Sequence, residues 1–311
     1  MADNVRVLSR LFKHKKKMAK KDIIFNVFTI VFFALFFAIT IYPFVYLLSR
    51  SFSGIDDIYR RHGFWLIPEE IIIDSYKDLI FNRDSIKWAA ITTVSRTLLG
   101  TAISLAANAL LAFILSRKKF LFKSGLSLFW IFTMYASAGI LPVYFLYKKF
   151  HLVNSFWVYI IPGIVGVFHV LVMRTYMEGI PDSFEESAEL EGAGYLRIFW
   201  RIVSPLCKPV YAVIAFFIAV SHWNSWFDAL LYNRLSIKYT TLQYEVMKLL
   251  STVMAQTTGG VSTTINSGNN KLTPDSMRAA LAILTFLPVL ILYPFFQKYF
   301  VSGLTIRGIK D

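Results

Sequence analysis

The chain has 311 residues, of which 56% are hydrophobic, 17% aromatic and only 17% charged; a soluble domain is about a quarter charged. So much apolar side chain excludes disorder, and a single cysteine, Cys207, excludes a disulfide framework or a cysteine-rich metal site. The excess of 33 Lys+Arg over 19 Asp+Glu, a net charge of +14, would suggest nucleic acid in a soluble protein. A mean hydropathy of +0.54 instead assigns the bases to orientation in a lipid bilayer, with no nucleic-acid partner.

The first element is a basic tail, 1–22, carrying Arg6, Arg10, Lys13, Lys15, Lys16, Lys17, Lys20 and Lys21. Basic flanks stay in the cytoplasm, so the N-terminus is predicted inside. Six apolar intervals of 19 or more residues then lack Asp, Glu, Lys and Arg: 23–49, 97–116, 124–147, 150–173, 209–227 and 279–297. About 20 apolar residues at about 1.5 Å each cross a hydrocarbon core of about 30 Å. The chain therefore predicts an all-α membrane protein with a six-helix domain over 23–301. Its spans are placed at about 23–49, 88–116, 124–147, 150–173, 209–231 and 279–301. The first run is too long for a cleaved signal peptide, and no small-residue cleavage site follows Pro43, so it reads as a retained span. Beginning the second span near Trp88 puts Arg96 inside the membrane.

Between the spans, the outer loop 50–87 holds Trp65, Pro68 and mixed charges, and the loop after span two, Arg117-Lys118-Lys119 with Lys123, is basic and predicted cytoplasmic. Residues 178–208 lie inside, 232–278 outside and the tail 302–311 inside. The outer loop 232–278 is the one low-complexity stretch, with Gly259-Gly260, Gly268-Asn269-Asn270 and many Ser and Thr. On its residues alone it reads as a flexible connector.

The inner segment 178–208 departs from the basic pattern. Ser183 followed by Glu186 has capping-box spacing after Pro181-Asp182 and predicts a helix start. Glu185, Glu186, Glu189 and Glu191 crowd that helix, and Gly192-Ala193-Gly194 stops it. A second amphipathic stretch, Tyr195 to Val203, carries Arg197 and Arg201 among apolar residues and ends at Pro205 and Pro209. The pattern predicts a helix–turn–helix elbow at 182–205, acidic in its first half. It is either a solvated loop helix or a docking knob whose acids steer towards a basic groove.

The run Glu186-Ser187-Ala188, with Gly192 four residues on and then Ile202, Pro205 and Pro209, resembles the EAA signature of bacterial ABC importer permeases of the carbohydrate-uptake, MalG-like type. Tyr42-Pro43-Phe44, Arg174, Trp223-Asn224, Asn269-Asn270-Lys271-Leu272-Thr273-Pro274 and the ending Tyr293-Pro294-Phe295-Phe296-Gln297 through Gly303 are similar to its LplC/YtcP-like branch. The resemblance spans roughly residues 23–311. It implies a type I ABC importer permease fold with N- and C-termini cytoplasmic, in a bacterial cytoplasmic membrane. It makes the elbow a coupling helix, with Glu185, Glu186, Ser187, Ala188, Glu189, Gly192 and Ala193 facing an ATPase subunit. Ser187 stands where the signature has its first Ala, which adds a hydroxyl needing a partner. The implied partners are a homologous second permease in a heterodimer, two ATP-binding subunits, an extracytoplasmic solute-binding protein and an oligosaccharide cargo.

No G-x-x-x-x-G-K-[ST] run occurs, so the chain lacks a phosphate cradle and is expected to be non-catalytic. ATP and Mg would be bound by the partner subunits, with no cofactor or metal in this chain. Its five histidines, at 14, 62, 151, 169 and 222, lack metal-ligand spacing. Ionisable residues within a membrane usually serve a purpose, so Arg96 and Asp228 are candidates for a cargo path, together with Tyr135, His169, Trp223, Asn224 and Trp226. Tryptophan faces stack on sugar rings, amides and carboxylates bind hydroxyls, and an Arg96 facing the path would favour an acidic sugar. The competing reading makes Trp223 and Trp226 interfacial anchors, Asp228 a solvated edge residue and Arg96 a snorkelling or backbone-bound one. Three rival functions stand: a permease for a non-sugar solute, a secondary transporter, and a scaffold without transport. Neither the inverted repeats nor the broken helices of the second are visible in the sequence.

Overall fold

The computed structural model describes residues 20–54, 67–68, 70–136, 138–259 and 273–305. Arg6 to Lys17, Trp65, Ser137, Gly260, Gly268, Asn269 to Leu272 and the tail from 306 lie outside the described residues. The described residues are helices joined by turns, with no strand among them.

Three helices are each long and apolar enough to cross a bilayer: α1 (Lys20–Ser51), α2 (Asp84–Ser116) and, at the other end of the chain, α10 (Pro274–Thr305). Between them lie α3 (Lys123–Tyr135), α4 (Ile140–Lys149), α5 (Val167–Glu178), α6 (Ser183–Leu190), α7 (Lys208–Asn224), α8 (Phe227–Tyr232) and α9 (Leu242–Gly259). Counting bent neighbours as one span raises the three to as many as six. Along α1 the apolar side chains from Ile23 to Ile41 point outwards. A protein in water would not leave that much contiguous apolar surface uncovered; a bilayer supplies the cover.

Three of the intervals read as single spans are interrupted, which corrects the expectation of unbroken helices; the span placed at 209–231 breaks at Ser225-Trp226, between α7 and α8. The interval 124–147 holds α3 and α4, with Gly139 at φ 82° entering α4. A right-handed α-helix needs φ near about −63°, so it cannot run through Gly139, whose positive φ only glycine adopts readily. The interval 150–173 opens in short 3₁₀ turns, Phe156–Tyr159 and Ile161–Gly163, and only then becomes α5, bent by 46°. Pro162 has no N–H to continue a helix. The backbone groups this break leaves open need partners inside the membrane, and fully buried Asn108 of α2 supplies them. Its Nδ2 donates to the Ile164 carbonyl at 3.0 Å, its Oδ1 accepts from Gly166 N–H at 2.9 Å, and Ser104 Oγ donates to the Ile164 carbonyl at 2.8 Å.

The second span begins at Asp84, one turn before Trp88. It is the central helix: α5 and α7 pack along it, and α10 pairs with α1 and α7. Segment 232–278, read from sequence as an outer loop of low complexity, contains α9, which packs against α2 and α10. Leu242 N–H donates to Thr93 Oγ1 at 2.9 Å and Thr92 Oγ1 donates to the Lys238 carbonyl at 2.9 Å, so this segment is tied to the first turns of α2.

The largest apolar core sits where the elbow meets the spans. Ala112 and Phe113 of α2, Met173 and Met177 of α5, Ala188 of α6, and Ile198, Phe199 and Val203 are buried together. The Phe113 and Phe199 rings lie 5.1 Å apart. Eight-residue α6 could not persist alone in water; this core and the ion pairs below hold it.

Candidate functional site

Two places carry the residues singled out from the sequence. The first is the elbow. Helix α6 starts at Ser183, but not through a capping box: Asp182 is the N-cap, already in helical backbone geometry, and no side chain caps the helix. Its carboxylate turns instead to Lys118, and Glu186 points to solvent. The N–H groups of Glu185 and Glu186 bond to the Asp182 carbonyl at 2.9 and 3.0 Å, so the first turn closes without a side chain.

The helix ends as a Schellman turn. Gly192 N–H donates to the Glu189 carbonyl and Ala193 N–H to the Ala188 carbonyl, both at 2.9 Å, with Gly192 at φ 77°. This pair of bonds satisfies the last carbonyls and requires a left-handed residue between them. Ala188 is buried beneath α6 and Ala193 packs against the same core. The Ser187 hydroxyl finds its partner within the helix, donating to the Ser183 carbonyl at 2.8 Å. A Cβ at Gly192 would touch nothing within 4 Å, so a substitution there is opposed by backbone strain alone. Gly192→Val is expected to cost about 1–3 kcal/mol locally. The elbow should loosen while the spans stay folded, giving normal expression with faster amide exchange over 183–194; unchanged exchange there would remove the requirement for this turn.

Elbow acids meet the basic loop after α2. Arg117 pairs with Glu185, Lys118 with Asp182, and Lys119 with Glu189 at 2.7 Å. Glu178, at the end of α5, pairs with Lys123 at 2.5 Å and Arg174 at 3.0 Å. The hydrogen bond from Lys118 holds the Asp182 carboxyl below its ordinary value, and the same bond raises the Lys118 ammonium. The Asp182 contribution is present above the unfolded carboxylate value and is lost as pH falls through the lower folded value. The Lys118 contribution is present below the unfolded ammonium value and is lost as pH rises through the higher folded one. Both are therefore engaged across the neutral range. Glu185 and Glu189, read from sequence as facing a partner, are answered within the chain. Glu186 and Glu191 remain exposed and without an ion pair among the described residues, beside Phe184, Leu190 (90% exposed) and Leu196.

The second place is the first half of α2. Arg96 is 2% exposed and grips Asp228, with Nη2–Oδ2 at 2.5 Å and Nη1–Oδ1 at 3.3 Å. Its guanidinium carbon lies 4.3 Å from the Tyr159 ring centroid, and Nη1 also donates to the Ser225 carbonyl at 3.4 Å. The pair joins α2 to the turn before α8 and to the 3₁₀ segment holding Tyr159. Trp226 packs in the same cluster as Tyr159. Trp223 does not join it: buried between helices, it donates from Nε1 to the Thr285 carbonyl of α10 at 2.9 Å. Asn224 is exposed at the end of α7, and Tyr135 is 87% exposed at the end of α3. His169 is half-buried, and its Nδ1 has no hydrogen-bond partner among the described residues. The seven path candidates thus do not form one lining; Arg96, Asp228 and Trp226 gather, and the others stand apart.

Sequence reasoning missed Asn108, Tyr159 and the pairing of the 117–119 loop with the elbow. Asn108 left a usable trace, a carboxamide in an otherwise apolar interval. The loop bases had been used only to orient the chain, and nothing in their spacing names their partners.

Residues 101–232 match the family model described as "Binding-protein-dependent transport system inner membrane component". The chain is 31% identical over 291 residues to the polygalacturonan/rhamnogalacturonan transport system permease protein YtcP of Bacillus subtilis (strain 168), covering 93% of this chain and 99% of that one. It is also 31% identical over 301 residues to protein LplC of the same organism, covering 96% and 98%. Among solved structures, its fold is similar to a chain of a bacterial ABC transporter involved in the import of the acidic polysaccharide alginate. That match has a TM-score of 0.79 and 26% identity, over 91% of this chain and 99% of that one.

Proposed function

The chain belongs to the family of binding-protein-dependent transport system inner membrane components, the ABC-importer permeases, and from that premise we propose that it is the membrane half of an importer for acidic oligosaccharides. It is a multi-pass membrane protein. We place it in the bacterial cytoplasmic membrane with six spans and both termini inside. A homologous permease completes the translocation path. Two ATP-binding subunits, holding ATP and Mg, dock one to each elbow, and an external solute-binding protein delivers cargo.

The observation that carries the reading is the elbow: a short acidic helix whose buried face is fused to the core of α2, α5 and α7 and whose exposed side offers Glu186 with Leu190 one turn on. A partner that binds this exposed side differently in its ATP-bound and ATP-free states shifts the spans, because the elbow cannot move independently of them. Without that difference in free energy nothing is coupled. The acidic class of cargo is supported by what YtcP and the alginate importer are named for, not by Arg96, whose charge Asp228 answers.

The test is to purify the chain with its partner permease and ATP-binding subunits and to reconstitute them with the binding protein. Oligogalacturonate is expected to stimulate ATP hydrolysis and to enter the vesicles, and uncharged maltodextrin of equal length is not. Failure of any ATP-binding subunit to co-purify would overturn the importer reading, and equal uptake of both sugars would overturn the acidic one.

A further inference from the structure

We propose that Arg117 is a positioning residue for coupling: it locks the elbow to the end of α2 and withdraws Glu185 from the docking face, leaving Glu186 as the carboxylate offered to a partner. The inference rests on reading 182–205 as the coupling elbow. Asp182, Glu185 and Glu189 are spaced by three and four residues, which places them on one helical face. Three consecutive bases meet that face, Lys118 on Asp182, Arg117 on Glu185 and Lys119 on Glu189. Glu186 lies four residues after Asp182 and three before Glu189, so it borders the same face beside these bases, but it stays exposed and makes no ion pair among the described residues.

The three pairs are not equal. Those of Lys118 and Lys119 are solvent-exposed and hold register more than they stabilise. Arg117 and Glu185 are only 14% and 19% exposed. The guanidinium is also prepared before Glu185 arrives. Nε and Nη2 both donate to Ser116 Oγ, at 3.1 and 2.9 Å, and the group lies 4.7 Å over the Phe113 ring. A planar, five-donor guanidinium can make these contacts together; an ammonium cannot. Arg117 follows directly on Ser116, the last residue of the helix that bears Arg96 and Asn108. Displacement of the elbow is therefore passed to α2 through a charged link as well as through the apolar core.

The test compares wild type, Arg117→Glu, Arg117→Lys and the exchange Arg117→Glu with Glu185→Arg in the reconstituted complex. Retained ATP-binding subunit and cargo delivered per ATP hydrolysed are measured separately. Arg117→Glu is expected to keep subunit binding within about twofold and to lower cargo per ATP at least about tenfold. The exchange should recover most of that loss, and Arg117→Lys should fall between. Unchanged coupling in Arg117→Glu, or an exchange with no recovery, would overturn the proposal. Should no ATP-binding subunit bind the wild-type chain, the coupling reading itself fails. The lock is then judged by thermal melting of the detergent-solubilised chain. There Arg117→Glu should lower the midpoint and the exchange restore it, and no restoration would refute the lock.

Discussion

Arg96→Ala is expected to destabilise the membrane domain by about 3 kcal/mol, because removing one partner of a buried ion pair strands the other. Asp228 would keep its charge in the first turn of α8, 23% exposed, with no other ion pair among the described residues. The Ser225 carbonyl and the Tyr159 face would lose their contacts at the same time. The three segments that meet there, the first half of α2, the Tyr159 turn and the start of α8, would separate. Thermal unfolding of the detergent-solubilised chain should show the loss, and uptake of acidic and neutral oligosaccharides should fall together. Arg96→Leu with Asp228→Leu should recover much of the stability, since apolar replacement of a whole buried pair is often tolerated. A selective loss of acidic cargo with unchanged melting would instead make Arg96 a cargo contact.

Glu186→Lys is expected to weaken docking of the ATP-binding subunit by about 2 kcal/mol or more, roughly a 30-fold loss of affinity. The side chain is exposed and makes no ion pair among the described residues, so reversing its charge leaves the intrachain lock intact. Membrane insertion and melting should be unchanged, while recovery of the subunit in pull-down and ATP hydrolysis stimulated by loaded binding protein both fall. Glu185→Lys makes the contrast. Its partner is the largely buried Arg117, so it should disturb the elbow's seat rather than the docking face, and a lowered melting midpoint is its expected mark. If both reversals behaved alike, the division of the elbow's acids into paired and offered carboxylates would be wrong.

The apolar intervals identified a helical membrane protein, because the cost of burying charge in hydrocarbon leaves a record that any window of the chain shows. The elbow was legible for a similar reason. Its helix stops at Gly192, and a left-handed turn is demanded locally, within five residues. The breaks in the spans were not legible: Pro162 and Gly139 lie at them, but a proline or glycine inside a membrane helix is tolerated often enough that the residue alone does not decide.

What completes those breaks and the site is non-local. Asn108 closes the gap at 164–166 from more than fifty residues away, Arg96 meets Asp228 across 132, and Arg117 meets Glu185 across 68. Charge in the chain established that these groups were costly where they lie; only the packing of α2 against α5, α7 and the elbow decided which group answers which. Periodicity and composition report each segment's preference for water or hydrocarbon. Pairing depends on which faces the folded helices turn towards one another, and that is settled by contacts among segments far apart in the chain.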